Sequence, residues 1–238
     1  MITTMTLNLW SYHDWKNRKD NVISVIKKLN PDILALQEVQ INPSFTVFPQ
    51  SKIIANLCGY NHHVFAPACV KDKQISISGK ATQRATHGLA ILSKYPIPST
   101  EAHFLCKHPD HKEPCIVLFA DIDINDHLVS VCNVHFGNSD LFADLHLKET
   151  MALCKTRRIQ PIIQGDFNIY DLSVYRNNEL KGYQFSSDEL AYRSMPKDNG
   201  TLDYIIAPSS GCRINTVVCP EDYISDHRAV FASLTQTK

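Results

Sequence analysis

PIIQGDFNIYD, Pro161–Asp171, opens as a buried strand and closes on acid and amide side chains. Gly165, Asp166 and Asn168 suit a turn, because each tolerates the required dihedrals and can cap the next element of the chain. They equally suit the lip of a sheet, where a carboxylate and a carboxamide face one ligand. Which use applies depends on whether other strands in the chain end the same way.

The 238 residues are 44% apolar, enough for a substantial core, and they read as one domain spanning 1–238. With 24 basic and 24 acidic side chains the net charge is zero. A protein that only coats nucleic acid is usually basic. Neutrality argues against such a module but not against a nuclease, in which a metal can take the phosphate. The eight cysteines are scattered without a CxxC pair. Cys132 and Cys154 sit in apolar segments, where a thiol behaves as a small hydrophobe. The start MITTMTLNLW has neither a basic region nor a long apolar run, and no segment approaches the length of a membrane span. These features favour a reducing, cytoplasmic setting without stable membrane association. CKHPDHKEPC places Cys106, His108, His111 and Cys115 in one short stretch. That spacing matches no common zinc finger, and the plain reading is a polar hairpin tip.

Strand and helix patterns alternate along the chain. TMTLNLW reads as a strand, and Asp14 as the cap of a helix carrying Val22, Ile23, Ile26 and Leu29 on one face. DILALQEV is nearly continuous in apolar residues, as for a strand covered on both faces. SKIIANLCG reads as a helix ending at Gly59. Strands follow at NHHVFAPA, GLAILSK, His103–Cys106, Ile116–Ile124 and LVSVCNVHF, then a helix over Leu141–Arg157. TLDYIIAP, CRINTVVC and DHRAVFASL complete the strands. Cys69–Thr86 reads as a long polar loop with Lys71, Lys73, Lys80 and Arg84. A loop of that length is expected to serve substrate choice, its cations meeting flanking phosphates. Strand–helix–strand occurs twice, in TLNLW…LQEV and in VCNVHF…QGDFN. Two sheets packed face to face with helices outside would use all these elements.

Polar residues recur where strands end. Asn8 lies in the first strand, and Glu38 follows Gln37 in the second. Asn133 and His135 fall on one side of VCNVHF, with Asn138 in the next turn. Asp166 and Asn168 close PIIQGDFN, Asp203 opens TLDYIIAP, and Asp226 and His227 precede the last strand. Singly, each has an ordinary structural use. Together they place many carboxylates where burial is costly unless they are paired or bind a metal. Glu38 and Asp226, with Asn8, are hard oxygen ligands suited to Mg2+ or Mn2+. Asp166 can orient or deprotonate a water that Asn168 steadies. His227, held by Asp203, can act as base or as donor to phosphoryl oxygens. No nucleophile elbow or Walker loop is present, so hydrolysis by activated water is the natural class.

Read in chain order, LNLW, LQEV, GLAILSKYPI, NVHF, GDFN, LDY and SDHRAV resemble the motifs of the endonuclease/exonuclease/phosphatase superfamily, the fold of deoxyribonuclease I and exonuclease III. The resemblance spans nearly the whole chain. It implies a four-layer α/β/β/α sandwich of two mainly antiparallel sheets and divalent-metal-dependent hydrolysis of phosphoesters. It implies Glu38 as metal ligand supported by Asn8 and Asp226, Asp166 and Asn168 at water and phosphate, and Asp203 with His227 as a pair. His135 resembles a second catalytic histidine, and Asn138 a phosphate-contacting asparagine. Two departures stand out: His87 replaces an acid that would pair with His135, and no arginine opens the strand at Cys115–Val117. The fold does not fix the substrate. The reading favours a nuclease acting on nucleic acid over a phosphoinositide or sphingomyelin-type lipid phosphohydrolase. A catalytically silent binding protein would be expected to have lost some of these residues.

Overall fold

Successive strands of this chain split their side chains between a helical layer and an opposing sheet. The computed structural model describes residues 1–74, 82–107, 114–220 and 224–236, with backbone alone for 70–74 and 82–84. In chain order the elements are β1 (Ile2–Asn8), α1 (Trp15–Leu29), β2 (Ile33–Ile41), α2 (Gln50–Cys58), β3 (His62–Gln74), β4 (Thr82–Ser93), β5 (Ser99–Phe104), β6 (Ile116–Asp123), β7 (Leu128–His135), α3 (Asp140–Arg157), β8 (Ile162–Asp166), β9 (Tyr183–Phe185), α4 (Ser186–Glu189), β10 (Asp203–Pro208), β11 (Cys212–Val218) and β12 (Val230–Gln236). They form two six-stranded sheets, ordered β11-β12-β1-β2-β4-β3 and β5-β6-β7-β8-β10-β9. Each sheet contains a parallel pair at its centre, β1/β2 and β7/β8, and is otherwise antiparallel. These pairs are the two strand–helix–strand units of the sequence, closed over α1 and α3.

Alternation along the central strands explains the layers. Met5, Leu7, Leu34 and Leu36 pack against Val22, Ile26 and Ile54 of α1 and α2. On the other sheet Cys132, Val134 and Ile163 pack against Ala143, Leu147 and Cys154 of α3. The opposite faces meet between the sheets. Ile33, Leu89 and Ile91 contact Ile116, Leu118 and Val131, and Ile162 and Ile205 contact Val230 and Ala232. The result is the four-layer sandwich. Among the described residues no helix is long and apolar enough to cross a membrane. None of the eight cysteines forms a disulfide.

Between these two apolar zones runs a buried polar seam. Thr6 Oγ1 donates to Gln37 Oε1 at 3.2 Å, and Gln37 Nε2 donates to Asn133 Oδ1 at 2.7 Å. Asn133 Nδ2 reaches Leu36 O and Ala90 O on the facing sheet at 3.0 and 2.9 Å. Thr4 donates to Gln164 at 2.5 Å. Asn133 is therefore a tie between sheets. Two residues further along these strands, at Asn8, His135 and Asp166, the seam opens into a cleft.

The span Cys69–Thr86 departs from the expected loop. β3 and β4 continue as an antiparallel hairpin, with Lys71 opposite Ala85, Asp72 opposite Arg84 and Gln74 opposite Thr82. β2 pairs with β4 only as far as Thr86. Among the described residues no third strand pairs with the hairpin beyond that point, and its sequence carries no apolar alternation, so it reads as loop. The side chains of Lys71, Lys73 and Arg84, and all of Lys80, lie outside the described residues. The expected cap also differs: Asp14 holds the N-cap position of α1, but its carboxylate accepts from Asn17 Nδ2 at 2.7 Å. Leu105 N donates to Cys115 O at 2.9 Å, which closes the β5–β6 connection as a hairpin. His108 and His111 lie outside the described residues.

Gly165 is required where β8 meets β7. Its φ is 147°, and a Cβ there would lie 2.0 Å from Val134 O. Gly165→Ala is expected to lower stability by about 2–3 kcal/mol, since neither backbone can withdraw without shifting Asp166. A change in unfolding free energy, from urea titration, of less than about 0.5 kcal/mol would show that β8 yields freely.

Candidate active site

Asp166 ends β8, and its two strand neighbours in register are His135 of β7 and Asp203 of β10. Three sequence-distant residues thus arrive together because three strands end together. Asp166 Oδ1 accepts from Asn168 N at 3.0 Å, closing a turn in which Asn168 has φ 51°. Asn168 Nδ2 ties that turn to Phe136 O at 2.8 Å. Asp166 Oδ2 faces inward, 3.0 Å from Asn8 Nδ2, 3.6 Å from His135 Nε2 and 3.8 Å from His227 Nε2.

Glu38 reaches the same cleft through a bulge. The register of β2 on β4 shifts between Leu36 and Val39, so Gln37 and Glu38 together oppose Leu89. With Gln37 facing the other sheet, plain alternation would point Glu38 at the helical layer. The extra residue, with Glu38 at φ 51°, re-aims the carboxylate instead. Asn8 Nδ2 donates to its Oε1 at 3.3 Å and Ser11 Oγ to its Oε2 at 3.1 Å. Burial pushes the Glu38 carboxyl up, but the imidazoles of His87 and His135 and the Asn8 amide outweigh it and hold the group well below the usual carboxylate range. Asn8 as placed bridges two acids, while its Oδ1 accepts from Trp10 N at 3.0 Å. Turning its oxygen toward a cation requires a flipped amide and gives up that bond.

His227 Nδ1 lies 2.8 Å from Asp203 Oδ2. The carboxylate can only accept, so Nδ1 carries the proton and Nε2 faces the cleft. Burial alone would push the imidazole down; the charges of Asp203, Asp166 and Asp226 hold it up, at about 10. Asp203 is fully buried, and burial pushes its own carboxyl up against the pull of His227. The pair therefore keeps one proton firmly, on the nitrogen between them. Ser194 Oγ fixes the strand start by accepting from Leu202 N and Asp203 N, each at 3.0 Å. Asp226 is half-buried, with Ser225 Oγ at 3.0 Å from its Oδ1. Burial raises its carboxyl, and the Glu38 charge adds to that.

The cleft holds about 420 Å³ and is lined by Glu38, His87, His135, Asn138, Asp166, Asn168 and His227, among others. Of the site residues read from the sequence, the cleft is lined by Glu38, His135, Asn138, Asp166, Asn168 and His227, with Asn8 bonded to Glu38 and Asp166, and Asp203 behind His227; Asp226 does not line it, and the side chain of Arg84 lies outside the described residues. Sequence reasoning missed Ser11 and Ser194, single hydroxyls with no pattern around them. It also missed Arg18, which is buried and donates to Ile224 O, Leu9 O and His13 O at 2.6, 3.0 and 2.8 Å, pinning the loops beside Asn8 and Asp226.

A family model for the endonuclease/exonuclease/phosphatase family matches residues 5–227. The chain belongs to this family. The endonuclease/exonuclease/phosphatase family comprises hydrolases of phosphoester bonds, generally dependent on a divalent metal, which places this chain in the same broad class. An endonuclease/exonuclease/phosphatase protein from Beutenbergia cavernae superposes with a TM-score of 0.78 at 17% identity, covering 99% of this chain and 71% of that one. The human Nocturnin catalytic domain with bound sulfate gives 0.73 at 17% identity, covering 99% and 94%. A Bacteroides thetaiotaomicron mannosyl-6-phosphatase gives 0.68 at 15%, covering 99% and 100%. At these identities the likeness is one of fold. Among curated proteins, none matches the chain by sequence.

The donor set fits a hard divalent cation. Among the described residues, the ion pairs of Glu38, Asp166 and Asp203 are to histidine alone, with no lysine or arginine. Converging buried carboxylates without a fixed cation are costly unless a mobile one joins them. One atom each from Asp166, Asp203 and His227 also lie within 4.8 Å of one another. That trio is a poorer cation site, because Asp203 and the Nδ1 proton are spent on each other. Glu38, on the cleft and held ionised, is the better carboxylate.

Proposed function

We propose that the protein is a divalent-cation-dependent phosphodiesterase acting on nucleic acid, by in-line attack of water on a backbone phosphate. The observation that carries this reading is the convergence of Glu38, Asp166, His135 and His227 on one cleft. Glu38 and Asp226, with Asn8 after an amide flip, would hold Mg2+ or Mn2+; the cation, when bound, supplies Lewis-acid neutralisation of a phosphoryl oxygen. Asp166 orients the attacking water and draws its proton, with Oδ1 fixed by Asn168 N–H and Oδ2 facing the cleft beside Asn8 Nδ2. Asp203 orients His227 and holds it as the imidazolium, so that Nε2–H faces inward. His227 and His135 present N–H groups to the phosphoryl oxygens as charge builds, and Asn138 contacts the phosphate from the rim.

Among the described residues lining the cleft there is no lysine or arginine. A phosphomonoester brings a second negative charge that such a wall leaves unmatched. A diester brings one, which supports the diester reading. The test is a screen of DNA, RNA, phosphoinositide, sphingomyelin, a sugar phosphate and a simple phosphodiester with Mg2+ or Mn2+. Nucleic acid cleavage that a chelator abolishes is expected. Turnover confined to a lipid or a monoester, or unaffected by the chelator, would overturn the proposal.

A further inference from the structure

His87 stands on β4, opposite Gln40 on one side and Cys69 on the other. It is 8% exposed and lines the cleft. Its Nε2 is buried and, among the described residues, has no hydrogen-bond partner. The other two histidines of the cleft each turn a nitrogen to an aspartate: His227 to Asp203, and His135 to Asp166. A buried imidazole nitrogen without a partner costs about 1–3 kcal/mol, so a chain that retains one there is expected to use it. Its nearest carboxylate oxygen is Glu38 Oε2, at 3.9 Å. That is too long for a hydrogen bond. It suits two ligand atoms sharing one ion, since donors each about 2.0–2.2 Å from a metal lie roughly 3–4 Å apart. The neighbouring backbone fixes the ring in this place. Gly88 follows it with no room for a Cβ, which would lie 2.0 Å from Ala66 O, and β3 bulges between Pro67 and Cys69 opposite this point.

We propose that His87 Nε2 is a ligand of the cation held by Glu38, making the site a mixed nitrogen–oxygen one that selects a first-row transition-metal dication over Mg2+. This deepens the proposed function and rests on its reading that a cation binds at Glu38. Oxygen ligands alone suit Mg2+, whereas imidazole favours Mn2+, Fe2+, Co2+ or Zn2+ in the usual order of affinities. The sequence points to an all-oxygen site because His87 lies some fifty residues from Glu38, and only the β2–β4 pairing brings them together.

The test reads the metal without turnover. Mn2+ is bound to wild-type, Glu38→Gln, His87→Gln and His135→Gln proteins, and pulsed electron paramagnetic resonance records coupling of the ion to 14N. Mn2+ and Mg2+ affinities are measured by titration, and circular dichroism checks that each variant is folded. The expected result is directly coupled 14N in the wild type, lost in His87→Gln and kept in His135→Gln. Mn2+ affinity should fall at least roughly tenfold in His87→Gln, with Mg2+ affinity changed less. Absence of 14N coupling in the wild type, or its survival in a folded His87→Gln protein, overturns the inference and leaves the cation at Glu38 standing. Mn2+ binding that is undiminished in Glu38→Gln overturns both.

Discussion

The Glu38→Gln protein is expected to fold normally and to lose roughly a thousandfold in turnover, together with most of its divalent-cation affinity. Glutamine keeps the volume and the Asn8 and Ser11 neighbours but removes the charge. Two opposed effects act on the carboxylate in the folded chain. Burial raises its pKa, and the surrounding imidazoles and amide lower it further than burial raises it. The carboxylate is therefore ionised at neutral pH, ready for a cation without first giving up a proton. A cation that neutralises charge in the transition state contributes several kcal/mol, and each 1.4 kcal/mol or so is tenfold in rate, which gives the expected loss. Equilibrium titration with Mn2+ and a turnover assay across Mg2+ concentration check it. If excess metal restores full turnover, Glu38 only concentrates the ion; if affinity is unchanged from the start, Glu38 is not a ligand.

The sequence carried the fold through its strands more clearly than through its helices. β1, β2, β7 and β8 are buried on both faces, and their apolar runs are legible without knowing their neighbours. Asp166 and Asp203 were legible as strand-end polar residues, because the register that joins them follows from adjacent strands ending at one edge, and His227 as a polar residue just before the last strand. Glu38 was legible by type and not by geometry. Its route into the cleft depends on the bulge opposite Leu89, and a bulge leaves no mark in the alternation until the partner strand is known. The hairpin beyond Thr86 was hidden for the opposite reason. Its sequence has no apolar alternation, and charged residues are what an edge strand such as β3 carries. Between β8 and β10 the chain uses two 3-10 turns, β9 and the single-turn α4, elements too short to show a period. Ser194 sits there, and its role emerges only from the backbone it holds.

Asp203→Asn and His227→Ala are expected to fail together rather than in sum. Each should reduce turnover by roughly 10³- to 10⁴-fold, and the double variant should be little worse than the poorer single. The reason is geometric: Asp203 is fully buried and does not line the cleft, so it reaches the reaction only through His227 Nδ1. Once the imidazole is gone, the carboxylate has nothing left to orient. Stability should show the same coupling. Among the described residues Asp203 Oδ1 has no hydrogen-bond partner, so the carboxylate is poorly satisfied apart from its histidine. Removing His227 leaves that charge buried and uncompensated, which costs about 3–5 kcal/mol. Replacing Asp203 as well removes the orphaned charge, so the double variant should unfold at higher denaturant than His227→Ala alone. A double-mutant cycle measured on both turnover and urea midpoint decides the matter. Additive losses in turnover would mean that Asp203 serves the reaction by a route other than His227. A double variant less stable than either single would mean that Asp203 serves the fold.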